Sequence, residues 1–233
     1  MANRFRSLKT SPEIIRLAVM MYVRFPLSLR SVEVLLHERG IDVSHENVRF
    51  WWNRFGPSFA SEIKKKRAQQ LRAWPGRHWH LDEMFVGIRG EQHYLRRAVD
   101  QEGEVLDAYV TKKRDRKAAL KSLRKVLKRL DPPGDIVTDR LRSYGAALRE
   151  LGLADAQVTG RWMNNRVENS HQPLRRRERV MQRFRQLRSL KKLAAVHSSV
   201  QNHFNQERHL YRRANFKALR TAALNEWHQL GAA

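Results

Sequence analysis

The stretch "HWHLDEMFVGI", His78–Ile88, decides the fold, because its residues alternate with the period of a β-strand. Apolar side chains fall on both sides of this strand: Trp79, Leu81 and Phe85 on one side, and Met84, Val86 and Ile88 on the other. Two apolar faces are typical of a strand at the centre of a sheet that is covered on both sides.

Asp82 stands in the middle of this apolar strand. A buried carboxylate without a partner costs several kcal/mol, so something must compensate its charge. One explanation is a structural ion pair with Arg96 or Arg97 on the next strand. The other is a bound cation, which requires further oxygen ligands nearby.

The following segments predict a mixed sheet. Gln92–Val99 and Val105–Thr111 are predicted strands joined by a hairpin with Asp100 as its cap, and Asp115 is a predicted helix cap. A short strand at Ile136–Asp139, a helix at Tyr144–Leu151, a loop over residues 152–162 and two helices follow, the helices at 165–185 and 187–208. Three antiparallel strands, a helix and a parallel strand are the order of a ribonuclease-H-like (integrase-type) α/β fold.

A site of three carboxylates follows from this order. Asp139 ends the second buried strand, where ligand sites lie in α/β sheets, and two neighbouring acids repel each other unless a cation intervenes. A helical Glu168 would complete an oxygen cage suited to Mg²⁺, with Mn²⁺ as a substitute. Two such ions about 3.5–4 Å apart support in-line phosphoryl displacement.

Glu168, His171 and Arg175 share one face of their predicted helix. We interpret Glu168 as the third metal ligand and Arg175 as a cation that holds a DNA phosphate. A solvated row of salt bridges would give the same spacing. A transition-metal site of His78, His80 and Asp82 is a further alternative, and Glu83, on the opposite strand face, is expected in a salt bridge or at an edge.

The first 62 residues predict a helix-turn-helix. Helices are expected from Pro12, over Leu29–Arg39, and after Ser44, with Gly40 in the turn and the apolar stripe Val48, Trp51 or Trp52, and Phe55 on the third helix. A plain three-helix bundle is the alternative. The exposed face of the third helix carries groups that can bond base edges, and the predicted DNA contacts are Asn47, Arg49, Asn53 and Arg54.

Composition supports a nucleic-acid partner. The chain has 233 residues, 47 Lys plus Arg against 23 Asp plus Glu, and a net charge of +24. This surplus predicts attraction to a polyanion. The apolar run Leu17–Val23 is too short to cross a bilayer and does not resemble a signal peptide. The absence of cysteine excludes disulfides and Cys-based zinc sites and suits a cytoplasmic protein.

These patterns predict four segments: a helix-turn-helix domain at 1–62, a basic linker at 63–75, a catalytic domain at 76–212 and a helical tail at 213–233. The tail has Leu219, Ala223 and Trp227 at near-helical spacing, so we expect it to pack on a partner or on its own domain.

Three blocks resemble the signatures of the insertion-sequence-six (IS-six) transposases: "WHLDEMFVGIRGEQHYLRRAVDQEGEVLDAYVTKKRDRKAA" (79–119), "IVTDRLRSYGAAL" (136–148) and "NNRVENSHQPLRRR" (164–177). The resemblance implies a ribonuclease-H-like fold, Mg²⁺, action on terminal inverted repeats and cointegrate formation. It also implies a catalytic triad of Asp82, Asp139 and Glu168, with Asn165, His171 and Arg175 matching further family residues that are expected to contact DNA. The 28 residues between Asp139 and Glu168 are a few fewer than is usual.

The predicted partners are therefore double-stranded terminal-repeat and target DNA, bound by a homodimer or larger homo-oligomer, since DNA ends come in pairs. Two other classes remain open. A DNA-binding regulator would need no three acids around a sheet, and a nuclease without strand transfer would gain nothing from a sequence-reading domain.

Overall fold

The computed structural model describes residues 4–72, 78–139, 141–160, 165–181, 184–205 and 211–231, with only the backbone described for 68–72 and 165–168. Its elements, in chain order, are α1 (Pro12–Arg24), α2 (Leu29–His37), α3 (His45–Arg72), β1 (His78–Ile88), β2 (Glu91–Val99), β3 (Val105–Thr111), α4 (Arg116–Leu127), β4 (Asp135–Thr138), α5 (Arg142–Glu150), β5 (Gln157–Thr159), α6 (Asn165–Val180), α7 (Leu187–His203) and α8 (Arg213–Gln229). They form two compact units, Lys65–Ser198 and Met1–Lys64 with Ser199–Ala233.

The unit Lys65–Ser198 is built on a five-stranded sheet in the order β3-β2-β1-β4-β5. Strand β1 is central, antiparallel to β2 and parallel to β4, and β3 is antiparallel to β2. The predicted mixed α/β sheet is therefore confirmed, together with the hairpin cap: the Asp100 carboxylate accepts from the Glu102 and Glu104 amides.

Strand β5 corrects the predicted loop over residues 152–162. It pairs in parallel with β4, and the side-chain amide of Gln157 donates to the Thr138 hydroxyl at 2.8 Å. Its three residues include one apolar side chain, Val158, so no alternation marks it in the sequence. The strand is defined by pairing with β4 rather than by its own pattern.

The two faces of the sheet are covered differently. Trp79 and Leu81 of β1 belong to a buried cluster shared with α4 and α5, which includes Leu123 and Tyr144. On the opposite face, α6 contacts β1 and β2. Helix α4 begins where expected, since the Asp115 carboxylate accepts the Ala118 amide at 2.8 Å.

The other unit contains α1, α2 and the first part of α3. Ser11 caps α1, with Pro12 as its first residue, and Gly40 adopts the left-handed conformation at φ +71° after α2. The predicted stripe on α3 is buried: Val48, Trp51, Trp52 and Phe55. Helix α2 ends at His37, slightly before the predicted Arg39.

Helix α8 packs in this same unit. The Trp227 indole donates to the Arg16 carbonyl at 3.1 Å, and the Arg16 guanidinium donates to the Leu230 carbonyl at 2.7 Å. Of the two arrangements expected for the tail, the described residues thus contain an intramolecular one, against α1.

The basic segment predicted as a linker is helical as far as it is described. Residues 63–72 continue α3, while 73–75 lie outside the described residues. The division between the two compact units, after Lys64, falls inside this predicted segment, and its Lys and Arg residues favour helix. Among the described helices, none is long and apolar enough to cross a membrane.

Candidate active site

The register of the sheet brings Asp82 and Asp139 together. Strands β1 and β4 are parallel, and their last paired residues are Leu81 and Thr138. Asp82, within β1, and Asp139, just beyond the end of β4, are the next residues along, so their backbones lie side by side at about the 4.8 Å spacing of neighbouring strands. The Asp82 side chain is 15% exposed and that of Asp139 is 36% exposed.

Asp139 is held at the end of β4 by the chain that follows it. Its Oδ1 accepts the Leu141 amide at 3.3 Å, and its Oδ2 lies 3.9 Å from Nη2 of Arg114. The carboxylate is thus fixed from one side by backbone and approached from the other by a guanidinium, and over a third of its surface stays open to a ligand.

Helix α6 contains the third predicted acid, Glu168. Glu168 lies in α6, as predicted, but the side chains of Glu168 and Asn165 are outside the described residues. His171, one helical turn further on, places its Nδ1 3.8 Å from Oδ2 of Asp82. This contact places the His171 turn of α6 next to β1.

His171 is itself buried, with 8% of the residue exposed. Burial, reinforced by the charges of Arg97 and Arg175, lowers the pKa of His171 to about 3. The imidazole is therefore neutral near pH 7, and with 8% of the residue exposed it offers little surface for the DNA contact predicted for it. It lies beside the Asp82 carboxylate without adding a charge.

Arg97 fixes α6 against the sheet, a role that the sequence did not indicate. It pairs with Asp82 in the β1–β2 register, is almost fully buried, and donates from Nη1 to the Ser170 carbonyl. Burial lowers the pKa of Arg97 to about 10, so it stays charged near pH 7.

Glu83 confirms the prediction of a salt bridge. It faces away from Asp82 and contacts Arg96 at 3.1 Å, with both side chains 1% exposed, and Arg114 donates from Nε to its other oxygen. The Arg96 guanidinium also lies 5.2 Å from the Tyr144 ring centre. Of the two arginines considered as structural partners of Asp82, Arg96 therefore serves Glu83.

The alternative histidine site is not assembled. His78 is half-exposed and contacts Asp135 at 2.8 Å, on the strand beside it. Among the described side chains, which exclude that of Glu168, no three of His, Asp or Glu lie close enough together to hold a metal ion. Asp82 and Asp139, at adjacent positions of neighbouring strands, carry oxygen donors of the type preferred by Mg²⁺ and Mn²⁺ rather than by zinc.

The predicted DNA contacts on α3 lie on its exposed face. Asn47, Arg49, Asn53 and Arg54 are all exposed. Arg49 contacts Glu46 at 2.8 Å, and Arg54 lies 5.7 Å from the centre of the Phe50 ring, which is itself exposed. A polar and aromatic face of this kind is open to a partner.

Arg175 contacts Glu178, one turn along α6, at 3.1 Å. This is the surface pairing that the salt-bridge interpretation of the helix expects. Both ends of the pair are accessible, Arg175 more than Glu178, and exposed pairs of this type contribute at most about 1 kcal/mol. A phosphate can therefore displace Glu178 at small cost.

The catalytic residues proposed here lie within a recognised domain. A family model of IS240-type DDE transposases, described as a DDE domain, matches residues 76–207. A chain of the simian T-cell lymphotropic virus intasome, solved in complex with the PP2A regulatory subunit B56 gamma, aligns over 80% of this chain and 65% of its own with a TM-score of 0.43 and 15% identity.

Two curated relatives come from Staphylococcus aureus. The transposase for insertion sequence-like element IS431mec of strain Mu50 is 30% identical over 181 residues, covering 76% of this chain and 79% of its own length. The transposase for insertion sequence element IS257 in transposon Tn4003 matches with the same identity and coverage. The family model and the two relatives each match more than half of this chain.

Proposed function

The chain belongs to the IS-six group of DDE transposases, enzymes that transfer polynucleotide strands, and we propose that it binds the terminal inverted repeats of its element, cuts to expose 3′-OH ends and joins them to target DNA. The observation that carries the proposal is that Asp82, in the middle of β1, and Asp139, at the end of the parallel strand β4, lie on neighbouring strands, and that α6, which contains Glu168, contacts β1.

Asp82, Asp139 and Glu168 would hold Mg²⁺, with Mn²⁺ as a substitute. The family uses divalent metal ions, and the two described carboxylates supply the hard oxygen ligands that these ions prefer. Bound there, a divalent ion supplies activation of the attacking oxygen and stabilisation of the leaving one. The residues of the chain hold the acids in place: Arg97 fixes α6, and His171, whose pKa is lowered to about 3, lies beside Asp82 without a charge.

The reaction then has two displacements at phosphorus. Water attacks the phosphodiester at the element's end, and the bond to the 3′ oxygen breaks to leave a 3′-OH. That hydroxyl attacks a target phosphodiester, forms a new 3′–5′ link and releases a 3′-OH on the target. Replication of the joined product would give a cointegrate.

We assign sequence recognition to the exposed face of α3 and phosphate binding to Arg175. Asn47, Arg49, Asn53 and Arg54 can bond base edges, and the net charge of +24 favours DNA throughout. Double alanine substitution of Arg49 and Asn53 should reduce discrimination between terminal-repeat and random DNA, by about 1–3 kcal/mol for each base that is no longer hydrogen-bonded. An equal decrease in affinity for both DNAs would restrict these residues to phosphate binding.

A joining assay on a labelled terminal-repeat duplex tests the proposal. Covalent transfer of the labelled 3′ end to target DNA supports it, and a homodimer or larger assembly should be present on paired ends. Cleavage without transfer would mean a nuclease, and binding without cleavage a regulator acting on DNA in the bacterial nucleoid.

A further inference from the structure

Glu83 and Arg96 form a buried pair whose charges cancel. They are opposite each other in the β1–β2 register, their oxygen and nitrogen are 3.1 Å apart, and each side chain is almost fully buried. A second cation, Arg114, donates to the remaining oxygen of Glu83. Together these three residues carry one surplus positive charge, which lies at the rim of the active site.

Arg114 directs that surplus charge towards Asp139. It lies between β3 and α4, with Nε on Glu83, Nη2 3.9 Å from Oδ2 of Asp139 and its guanidinium carbon 5.9 Å from the centre of the Phe85 ring. The side chain is 38% exposed. One end of the guanidinium is therefore anchored inside the protein, while the other reaches a catalytic carboxylate and solvent.

We propose that Arg114 is a phosphate-binding arm of the active site, aimed by Glu83, which pairs with Asp139 in the absence of metal and with a DNA phosphate once Asp139 binds a divalent ion. The inference rests on the proposed function, because it takes Asp139 as a metal ligand.

Charge balance gives the reason for the exchange. Before metal binds, Asp139 neutralises the surplus charge of Arg114. A divalent cation on Asp139 ends that attraction and adds repulsion, so Arg114 needs another anion within its reach. The guanidinium fork fits two phosphate oxygens, and the anchor on Glu83 restricts where it points, which lowers the entropy cost of binding.

The salt dependence of DNA binding tests this inference. Affinity for a short random-sequence duplex would be measured over a range of salt, once with Ca²⁺ and once with chelator, for the whole chain and for Arg114→Gln. We expect Arg114→Gln to make the salt slope shallower by about 0.9, one phosphate contact, with Ca²⁺, and to leave it unchanged with chelator. Arg114→Lys, which keeps the charge, should retain most of the wild-type slope.

Arg116→Gln is the matched control. Arg116 is a half-exposed arginine two residues further along, and it pairs with Glu150 on α5. Its removal deletes the same charge away from the site, so any effect on the slope should not depend on Ca²⁺. If Arg114→Gln behaves like Arg116→Gln, or lowers the slope equally with and without Ca²⁺, the exchange between Asp139 and phosphate is wrong.

The variant Asp139→Asn distinguishes a failure of the Arg114 inference from a failure of the proposed metal site. In that background Arg114 has no acidic partner at position 139, so removing Arg114 should lower the slope by about 0.9 with chelator as well. If the slope did not decrease, the role of Asp139 as the partner of Arg114 in the absence of metal would be overturned. Calorimetry of Ca²⁺ binding gives the other readout: wild-type affinity in Asp139→Asn would instead overturn the metal site of the proposed function.

Discussion

The adjacent acids Asp82 and Glu83 lie on opposite faces of β1 and differ in exposure and in the charge of their neighbours. Asp82 faces α6, keeps 15% of its side chain exposed and lies beside His171, whose pKa of about 3 makes it neutral. Glu83 faces the other way, is 1% exposed, and contacts both Arg96 and Arg114. One motif, "LDE", therefore places a carboxylate beside an uncharged ring and another between two guanidiniums.

The difference teaches how a sheet can carry a reactive acid without losing stability. The charge of Glu83 is matched inside the protein, so it contributes to structure and to the aim of Arg114. The imidazole next to Asp82 brings no positive charge, so a cation that binds Asp82 meets no repulsion from this ring. Burial and the charge of Arg97 maintain that condition by holding His171 neutral.

The largest expected effect is the loss of catalysis on the Asp82 face. Asp82→Asn, Asp139→Asn and Glu168→Gln should each abolish joining, because each removes a charged metal ligand at nearly constant volume. Cleavage and joining of a labelled duplex would be measured, with DNA binding and circular dichroism to show a retained fold. Substantial joining by any one variant at saturating Mg²⁺ would remove that residue from the proposed triad.

On the opposite face we expect lower stability instead. Glu83→Gln leaves Arg96 buried without its anion, and breaking a buried pair in this way costs about 3–5 kcal/mol in the free energy of unfolding. Urea denaturation measures it. Glu91→Gln, which removes an exposed acid paired with Lys112 in the same sheet, is the control and should change little. Wild-type stability of Glu83→Gln would mean that the pair does not stabilise the sheet.

A smaller effect concerns pH. Burial and the charges of Arg97 and Arg177 lower the pKa of His197 to about 3. The unfolded chain, with an ordinary histidine pKa near 6.5, takes up a proton below that pH while the folded chain does not, so stability falls as pH drops from about 6.5 towards 3. At pH 5 this loss is about 2 kcal/mol for His197.

His197→Gln should therefore reduce the decrease of the free energy of unfolding as the pH falls. His171→Gln, on the Asp82 face, should have the same effect. Urea denaturation at a series of pH values measures the free energy of unfolding for each variant. A wild-type protein whose stability did not change between pH 7 and pH 5, or a variant with the wild-type slope, would contradict the neutral state of these rings.

The smallest effect is expected at Arg175, at the surface beyond the two acids. Arg175→Ala should lower the salt slope of DNA binding by about one phosphate contact and impair joining more than metal binding. Arg175→Lys should recover part of the activity, since the charge remains and only the fork is removed. An unchanged salt slope in Arg175→Ala would mean that Arg175 pairs with Glu178 and does not bind a phosphate.

The sequence predicted what depends on local pattern. Strand β1 has the bounds that its alternation gave, and the Asp115 cap starts α4 as expected, because a capping carboxylate acts within its own turn. Asp82 and Asp139 could be placed together because parallel strands align their carboxyl ends. Glu83 could be assigned to a salt bridge from its strand face alone.

Features that depend on distant contacts could not be predicted. Strand β5 exists through its pairing with β4, and the reach of Arg114 to Glu83 joins a loop to a strand 31 positions away. The burial of His171 depends on how α6 lies on the sheet, which its helical spacing does not reveal. The helical state of the basic run was also not predicted, since its charge marks the division between the two units but not its conformation.

Divalent ion binding to the protein without DNA tests the comparison between the acids most directly. Mn²⁺ bound to the whole chain would be titrated by electron paramagnetic resonance in the wild type, in Asp82→Asn and in Asp107→Asn. Asp107 is a buried acid of β3 that pairs with Lys125 and Arg129, so its removal deletes a structural carboxylate of the same sheet. We predict strongly weakened Mn²⁺ binding in Asp82→Asn and wild-type binding in a folded Asp107→Asn. Wild-type binding in Asp82→Asn would contradict the assignment of this face as the metal site.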